Sequence, residues 1–357
     1  MMNQSNHYAV ILASGTGVRL WPMSTTKKPK QFLDLLGIGK TFVQLTYNRL
    51  KKVVPQENII FITTNEFKDL LKEQIPHLED KNILIEPRIM NTAACNLLAA
   101  MHIHKLNPEA KMIVAPSDHL IHDSDEFIKY INLGFEYADS DHLILLGAEP
   151  NRPEINLSYV QVIENGESVK KIKTFVDKPD LDFAESFIQS GDFLWNTGIL
   201  IWSTKAILDS FNKYHPLMFE TLKSYFDLPD PNIELLKSVY TTLDIISINS
   251  AILEKASNVY VIPTDMGWND MGTWKSIHDY TPYDDYGNHI RAKNFLGINT
   301  NNTFVHSTSD KAIVINGLQD FVVLESENGL LICPKSEVKD IKTYVSDIRL
   351  NKGEKYC

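Results

Sequence analysis

At 357 residues the chain is long enough for a large core and two domains, and 43% hydrophobic with 22% charged residues is an ordinary globular composition. The formal net charge of −10 argues against nonspecific nucleic-acid binding, and no uninterrupted apolar run reaches the length of a membrane span. The first residues lack the basic and apolar parts of a secretory leader, and Cys95, Cys333 and Cys357 show neither metal nor redox spacing, so reduced thiols in a cytoplasmic protein are expected.

The first predicted strand, 8–13, is a short apolar run rich in β-branched residues. It leads directly into Ser14-Gly15-Thr16-Gly17-Val18-Arg19, with Lys30 close behind. Small residues let backbone N–H groups approach an anion, and Arg19 and Lys30 add positive charge, so the loop is a candidate phosphate site. A dinucleotide fingerprint needs a third glycine where Leu20 stands, and a P-loop needs lysine where Val18 stands. Taken alone, the loop fits either an anion cradle or a tight turn with solvated cations.

Further strands are predicted at 58–64, 82–86, 111–115 and 142–147, with helices near 41–52, 66–75, 92–106 and 124–138. This alternation predicts βαβ units and a mostly parallel sheet covered by helices, with ligands beyond the carboxyl ends of the strands. At those ends, Asn91 or Thr92 is suited to cap the helix that follows. Asp118 ends the fourth strand, where a carboxylate suits Mg²⁺ or caps the next turn. Strand-like runs at 159–163 and 169–176 flank Asn165-Gly166, a hairpin signal. Asp177-Lys178-Pro179 then opens a helix around 180–190, with Asp177 suited to be its N-terminal acid. The stretch 204–256 reads as helical, broken at His215-Pro216 and Leu228-Pro229-Asp230-Pro231, and 259–263 reads as a strand. A polar, turn-rich segment at 283–288 marks a boundary between 1–284 and 285–357. Beyond it, short strands at 303–307, 311–316, 321–325 and 329–333, with a final helix at 336–347, predict a small β-rich domain.

The strings Gly-x-Gly-x-Arg-Leu-Trp-Pro at 15–22 and Pro-Lys-Gln-Phe at 29–32 resemble the sugar-1-phosphate nucleotidyltransferases, and most closely their mannose-1-phosphate guanylyltransferase branch. The resemblance implies a Rossmann-like, GT-A-like α/β catalytic domain with a mixed, mostly parallel sheet, plus a small β-rich C-terminal domain. It implies that Ala13, Ser14, Gly15, Thr16 and Gly17 wrap a nucleoside triphosphate whose phosphate oxygens Arg19 and Lys30 hold. Asn91 and Thr92 match residues beside the base and ribose. Pro116-Ser117-Asp118-His119 and Trp268-Asn269-Asp270-Met271-Gly272 match the segments that bind the nucleotide through Ser117 and Mg²⁺, or another divalent cation, through Asp118 and Asp270. His119 is then a packing residue or a support for a ligand rather than a ligand itself, because Mg²⁺ disfavours imidazole. On the sugar-phosphate side the matching residues are Gly147, Asp177, Lys178, Asn196 and Gly198. The Asn196 amide both donates to and accepts from hydroxyls, whereas Trp195 is expected in the core.

Several positions depart from the family pattern. Ser14 stands where the family has Gly, Val18 where it has Thr or Ser, and Met90 where it has Arg or Lys. Ala94 replaces Pro, Asp177 replaces Glu and Asn249 replaces Asp. Ile155-Asn156-Leu157-Ser158 replaces a Thr-Gly-Tyr-Gly turn that approaches the sugar. The resemblance implies that a hexose 1-phosphate, mannose in the first instance, attacks the α-phosphorus of GTP and releases pyrophosphate. The departures keep two alternatives open: another sugar or base, or a nucleotide-sugar-binding regulatory subunit without turnover. GTP and the sugar phosphate are the expected partners, without nucleic acid or membrane. The β-rich domain is expected to serve packing or subunit contact, as in a homodimer.

Overall fold

The computed structural model describes residues 4–138 and 141–357. They form two compact units: one holds the residues up to Ser14 with Thr46–Trp268, the other Gly15–Leu45 with Asn269–Cys357.

The first unit is a nine-stranded sheet with helices. Its strands are β1 (His7–Leu12), β2 (Ile59–Thr63), β3 (Ile83–Ile85), β4 (Lys111–Pro116), β6 (Leu143–Ala148), β7 (Tyr159–Ile163), β8 (Lys170–Val176), β9 (Phe193–Ser203) and β10 (Val259–Thr264), in the order β3-β2-β1-β4-β9-β6-β10-β8-β7. The two-residue strand β5 (Leu120–Ile121) lies outside this sheet. From β3 to β4 every pairing is parallel, and β6 and β10 are also parallel. The mixed character enters with β9, which runs antiparallel to both β4 and β6. Only a sugar motif marks β9 in the sequence, because its eleven residues lack a strand's alternation: apolar residues flank Asn196-Thr197-Gly198 on both sides. Buried on both faces, such a central strand has no polar side to reveal it.

Helices α1 (Phe42–Leu50), α2 (Lys68–Gln74), α3 (Asn91–Leu106), α4 (Ser124–Tyr137) and α5 (Leu181–Ser190) lie where the periodicity placed them. The stretch 204–256 resolves into α6 (Thr204–Tyr214), α7 (Pro216–Phe226), α8 (Ile233–Tyr240) and a π-turn at Asn249–Leu253. The breaks fall at the prolines, which cannot continue a helix, and also at 241–248, where the residues leave helical form. The core is continuous from β1 and β4 through α3 to α6 and α7. Ala93, Ala94, Ala99 and Ala100 keep α3 thin, so it seats closely on the sheet.

The second unit contains the glycine loop, α9 (Trp274–Asp279), a coil of short strands and α10 (Ile341–Lys352). The chain enters it through β11 (Trp268–Asn269). Strands β12 (His289–Arg291), β14 (Phe304–Ser307) and β16 (Phe321–Glu325) stack in parallel, and β17 (Leu330–Pro334) closes this sheet antiparallel to β16. Strands β13 (Asn294–Ile298) and β15 (Ala312–Asn316) form a second parallel pair. The chain thus winds in rungs, with Val305, Ile315 and Val323 buried at its centre. The sequence reading missed β12 and β13 because neither has a buried side chain, so no apolar alternation marks them. The final helix also starts later than expected. Residues Lys335–Asp340 form an unburied 3₁₀ turn, and α10 begins at Ile341, the first residue of its buried stripe with Val345. All three cysteines are buried free thiols, as the spacing implied. Among the described residues no helix is long and apolar enough to cross a membrane.

Candidate active site

In the second unit the glycine loop turns at Gly17, whose φ of 60° lies in the left-handed region that favours glycine. A Cβ there would lie 2.5 Å from Ser24 Oγ and 3.0 Å from the Lys30 backbone nitrogen. The loop carbonyls are tied back into the unit. Gln31 Nε2 donates to Gly15 O at 2.8 Å, and Ser24 Oγ donates to Thr16 O at 3.3 Å. The backbone N–H groups of Gly15, Thr16 and Gly17 donate to no protein acceptor among the described residues. Carbonyls held and amides unused are what an anion-binding loop requires. Arg19 is exposed on the 3₁₀ turn Val18–Leu20 that follows. Lys30 Nζ lies 3.5 Å from Asp270 O and 3.4 Å from Met271 O. Loop, Lys30 and Asp270 therefore form one cluster.

This loop is braced by residues hundreds of positions away, which the sequence does not disclose. Trp274 Nε1 donates to Trp21 O at 3.0 Å, Trp21 Nε1 to Tyr356 O at 2.7 Å, and Ser326 Oγ to Pro22 O at 2.8 Å. Gln31, buried in the matched Pro-Lys-Gln-Phe string, is a second residue the sequence reading passed over.

Asp270 is half-buried and backed by Gly272, where a Cβ would lie 2.5 Å from Asp270 Oδ2. Gly272 has no positive φ, so alanine is acceptable to the backbone and acts on the carboxylate. Gly272→Ala is expected to weaken divalent-cation dependence about 10- to 100-fold, the range for changes that reorient a metal ligand, with little change in melting temperature. Titrating activity against Mg²⁺ checks this; an unchanged midpoint removes Asp270 from the metal site.

In the first unit the carboxyl ends of β1, β3 and β4 bring together residues expected on the nucleotide side. Ala13 continues β1, its N–H donating to Ile62 O at 2.8 Å, and Ser14 Oγ lies 3.5 Å from Ile62 O. The Ser117 N–H donates to Leu12 O at 3.1 Å, joining the end of β4 to that of β1. Neither Asn91 nor Thr92 caps α3 through its side chain in the expected way. Asn91 sits at φ 66° with Oδ1 accepting the neighbouring Thr92 N–H at 2.9 Å, and Thr92 Oγ1 accepts the Ile248 N–H at 2.9 Å. Glu86, not singled out from sequence, is 2% exposed and accepts from the Met90 N–H at 3.5 Å. Burial pushes its carboxyl up to about 7, against smaller opposing contributions from Met90 N–H and the Ser14 hydroxyl.

Asp118 follows Ser117, with Oδ1 3.9 Å from His119 Nε2. His119 Nδ1 accepts the Trp268 indole N–H at 3.1 Å, which leaves the neutral ring's proton on Nε2, facing Asp118. Its ring also packs edge-on against Trp268. His119 thus packs on Trp268 beside Asp118.

Of the residues expected on the sugar side, Gly147, Asn196 and Gly198 meet at β9. Gly147 pairs with Asn196 across β6 and β9, and a Cβ on Gly147 would lie 2.6 Å from Val261 and 2.9 Å from Leu194. Asn196 N–H donates to Ser158 O at 2.8 Å, Asn196 Oδ1 accepts the Gly198 N–H at 2.8 Å, and Gly198 has φ +69°. Asn196 Nδ2 donates to Asn249 Oδ1 at 3.3 Å, so Asn249 keeps an acceptor at that position. Segment 246–249 therefore links the start of α3, through Thr92, to Asn196. Asp177 is not the helix cap; Asp180 caps α5 by accepting the Phe183 N–H at 3.0 Å, since the cap position lies next to the first helical residue. Asp177 instead accepts from Ser158 Oγ at 2.5 Å. Two departures from the family pattern are thus partners: the added hydroxyl holds the shortened acid. Lys178 is exposed, with Nζ 3.8 Å from Asp177 Oδ2. Trp195 is core, as expected, and Arg152 lies 5.1 Å over its ring.

Among the described residues no group of three or more His, Cys, Asp or Glu side chains could hold a metal ion. Asp118 and Asp270 each present hard oxygen donors, the type that Mg²⁺ takes together with substrate phosphates.

The sequence profile of the nucleotidyl transferase family matches residues 8–285, and that of the MannoseP isomerase/GMP-like beta-helix domain matches residues 293–348. The chain is 29% identical to the mannose-1-phosphate guanylyltransferase of Escherichia coli K12, over 98% of this chain and 74% of that protein. It is 31% identical to the alginate biosynthesis protein AlgA of Pseudomonas aeruginosa, over 95% of this chain and 71% of that protein. The crystal structure of mannose-1-phosphate geranyltransferase from Thermus thermophilus superposes with a TM-score of 0.86 at 26% identity, covering 96% of this chain and 99% of that one.

Proposed function

We propose, on the premise that the chain belongs to the nucleotidyl transferase family, that it transfers GMP from GTP to α-D-mannose 1-phosphate, giving GDP-mannose and pyrophosphate. The observation that carries this reading is the second unit's cluster of unused loop amides, Lys30 and Asp270. The mannose and guanine assignments rest on the likeness to proteins named for that reaction.

A phosphate oxygen of the sugar phosphate attacks the α-phosphorus of GTP; that P–O bond forms as the bond to the β-phosphate breaks, and pyrophosphate leaves. The nucleophile is already an anion, so no general base is required. The barrier is alignment and charge repulsion, which positioned donors and cations lower. The amides of Gly15–Gly17, with Arg19 and Lys30, hold the triphosphate and take up charge on the departing pyrophosphate. Asn91, Thr92 and Ser117 lie on the nucleotide side. Asn196 and Asp177 bind sugar hydroxyls, Gly147 and Gly198 admit the sugar closely, and Lys178 neutralises the sugar phosphate. Asp118 and Asp270 are the residues that would each offer a carboxylate to a divalent cation, which would orient the phosphates and offset their charge.

The test is pyrophosphate release by the full chain with Mg²⁺, for GTP and other triphosphates against a panel of hexose 1-phosphates. GTP with mannose 1-phosphate is expected to give the highest kcat/KM. The Ser158–Asp177 bond favours a second reading in which the sugar differs, and a faster sugar in that panel establishes it. Binding of GDP-mannose without release of pyrophosphate would show a regulatory homologue instead.

A further inference from the structure

The first unit buries a cation without a counter-charge. Arg49, in the last turn of α1, is 7% exposed, and among the described residues no carboxylate lies within ion-pair distance of it. Its guanidinium carbon lies 5.4 Å over the centre of the Phe127 ring of α4, and Nη2 donates to the His119 backbone O at 3.4 Å. Burial lowers the group to about 10, so it is still charged at neutral pH.

Packing alone does not account for that charge. An unbranched neutral side chain would fill the same space without the cost of burying an ion. The carboxyl end of α1 favours a cation in its last turn, yet the hydrogen bond goes to a carbonyl of another segment.

That carbonyl belongs to the turn that carries Asp118. His119 is held at two points: its backbone O by Arg49, and its ring Nδ1 by the Trp268 indole N–H at 3.1 Å. The Asp118 carboxylate lies beside it, with Oδ1 3.9 Å from His119 Nε2. A charge-assisted donor holds a carbonyl more firmly than a neutral one, and an acid that must meet a cation depends on the groups that fix its backbone.

We propose that Arg49 is a positioning residue for Asp118, fixing through the His119 carbonyl the turn on which the acid sits. The consequence for cation binding rests on the reading of Asp118 as a metal ligand; the clamp on His119 does not.

The experiment uses the full chain with Arg49→Met, Arg49→Lys and, for reference, Asp118→Ala. The Trp268 indole N–H, assigned by its loss in Trp268→Phe, reports the clamp by NMR. Its exchange with solvent is expected to quicken at least about tenfold in Arg49→Met and to stay within about threefold of wild type in Arg49→Lys, which keeps a charged donor. Mn²⁺ in the presence of GTP, followed by electron paramagnetic resonance, reports the acid. Arg49→Met is expected to raise the Mn²⁺ Kd about 10- to 100-fold, Arg49→Lys to restore most of that loss, and Arg49→Met/Asp118→Ala to bind no worse than Asp118→Ala alone. An unchanged indole signal overturns the clamp. Faster exchange with an unchanged Mn²⁺ Kd, or a loss that adds in full to that of Asp118→Ala, overturns the positioning role. If Arg49→Met does not fold, Arg49→Gln is read in its place; failure of both to fold assigns Arg49 to stability alone and overturns the role as well. Absence of Mn²⁺ binding by the wild-type chain with GTP counts against the proposed function and leaves the indole arm standing.

Discussion

Replacing Asp118 or Asp270 by alanine is expected to lower pyrophosphate release by at least about a thousandfold, the scale of losing a preorganised electrostatic contact in the transition state. Melting temperature should stay within about 2 °C, because neither carboxylate is a core packing group. Asp118 is backed by His119, which Trp268 fixes in one tautomer. Asp270 is backed by Gly272. If the two act on one cation, the double variant will be no slower than the singles, since groups that act as a unit are grossly non-additive. Independent, multiplicative losses would separate their roles. Near-wild-type turnover in either single variant would falsify its place in the metal site.

The second large effect concerns stability. Glu86→Gln is expected to stabilise the fold by up to about 3 kcal/mol at pH 8 and by little at pH 4.5. Burial raises the Glu86 carboxyl to about 7 in the folded chain, against an ordinary unfolded value near 4.3. Between those values the folded chain binds more protons than the unfolded one, so stability falls as pH rises and is lowest once the folded carboxyl ionises above about 7. Glutamine stays neutral throughout and keeps an acceptor for the Met90 N–H, so it removes the penalty and retains the bond. Urea denaturation at pH 4.5, 6 and 8 reads this directly. Equal pH slopes in wild type and variant would show that Glu86 ionises in the fold as freely as in water.

Much of the site was legible from local chemistry. Two glycines after a buried strand, followed by Arg19 and Lys30, marked a loop fitting either an anion cradle or a tight turn. Asp118 at a strand end was legible as a hard oxygen donor at the ligand edge of an α/β sheet, and the resemblance is what implies a metal there. The loop's need for small residues was legible at Gly17, whereas the close packing at Gly147, where a Cβ would lie 2.6 Å from Val261, emerged only from the structure. The parts that stayed hidden depend on partners distant in sequence. Ser158 and Asp177 looked like two separate losses until the hairpin of β7 and β8 set them face to face. Glu86 looked like any acid before a proline until burial changed its protonation. Asn249 looked like a lost charge until its oxygen was found to accept the Asn196 amide.

The sequence by itself determined the alternation of strands and helices, the glycine loop and the identity of the charged groups, because periodicity, propensity and small-residue spacing are properties of neighbouring residues. Tertiary structure alone decided the antiparallel insertion of β9, the late start of α10, and the bracing of Trp21 by Trp274 and Tyr356. Those outcomes turn on which surfaces are buried and which hydrogen bonds close across hundreds of residues, and no local pattern records either.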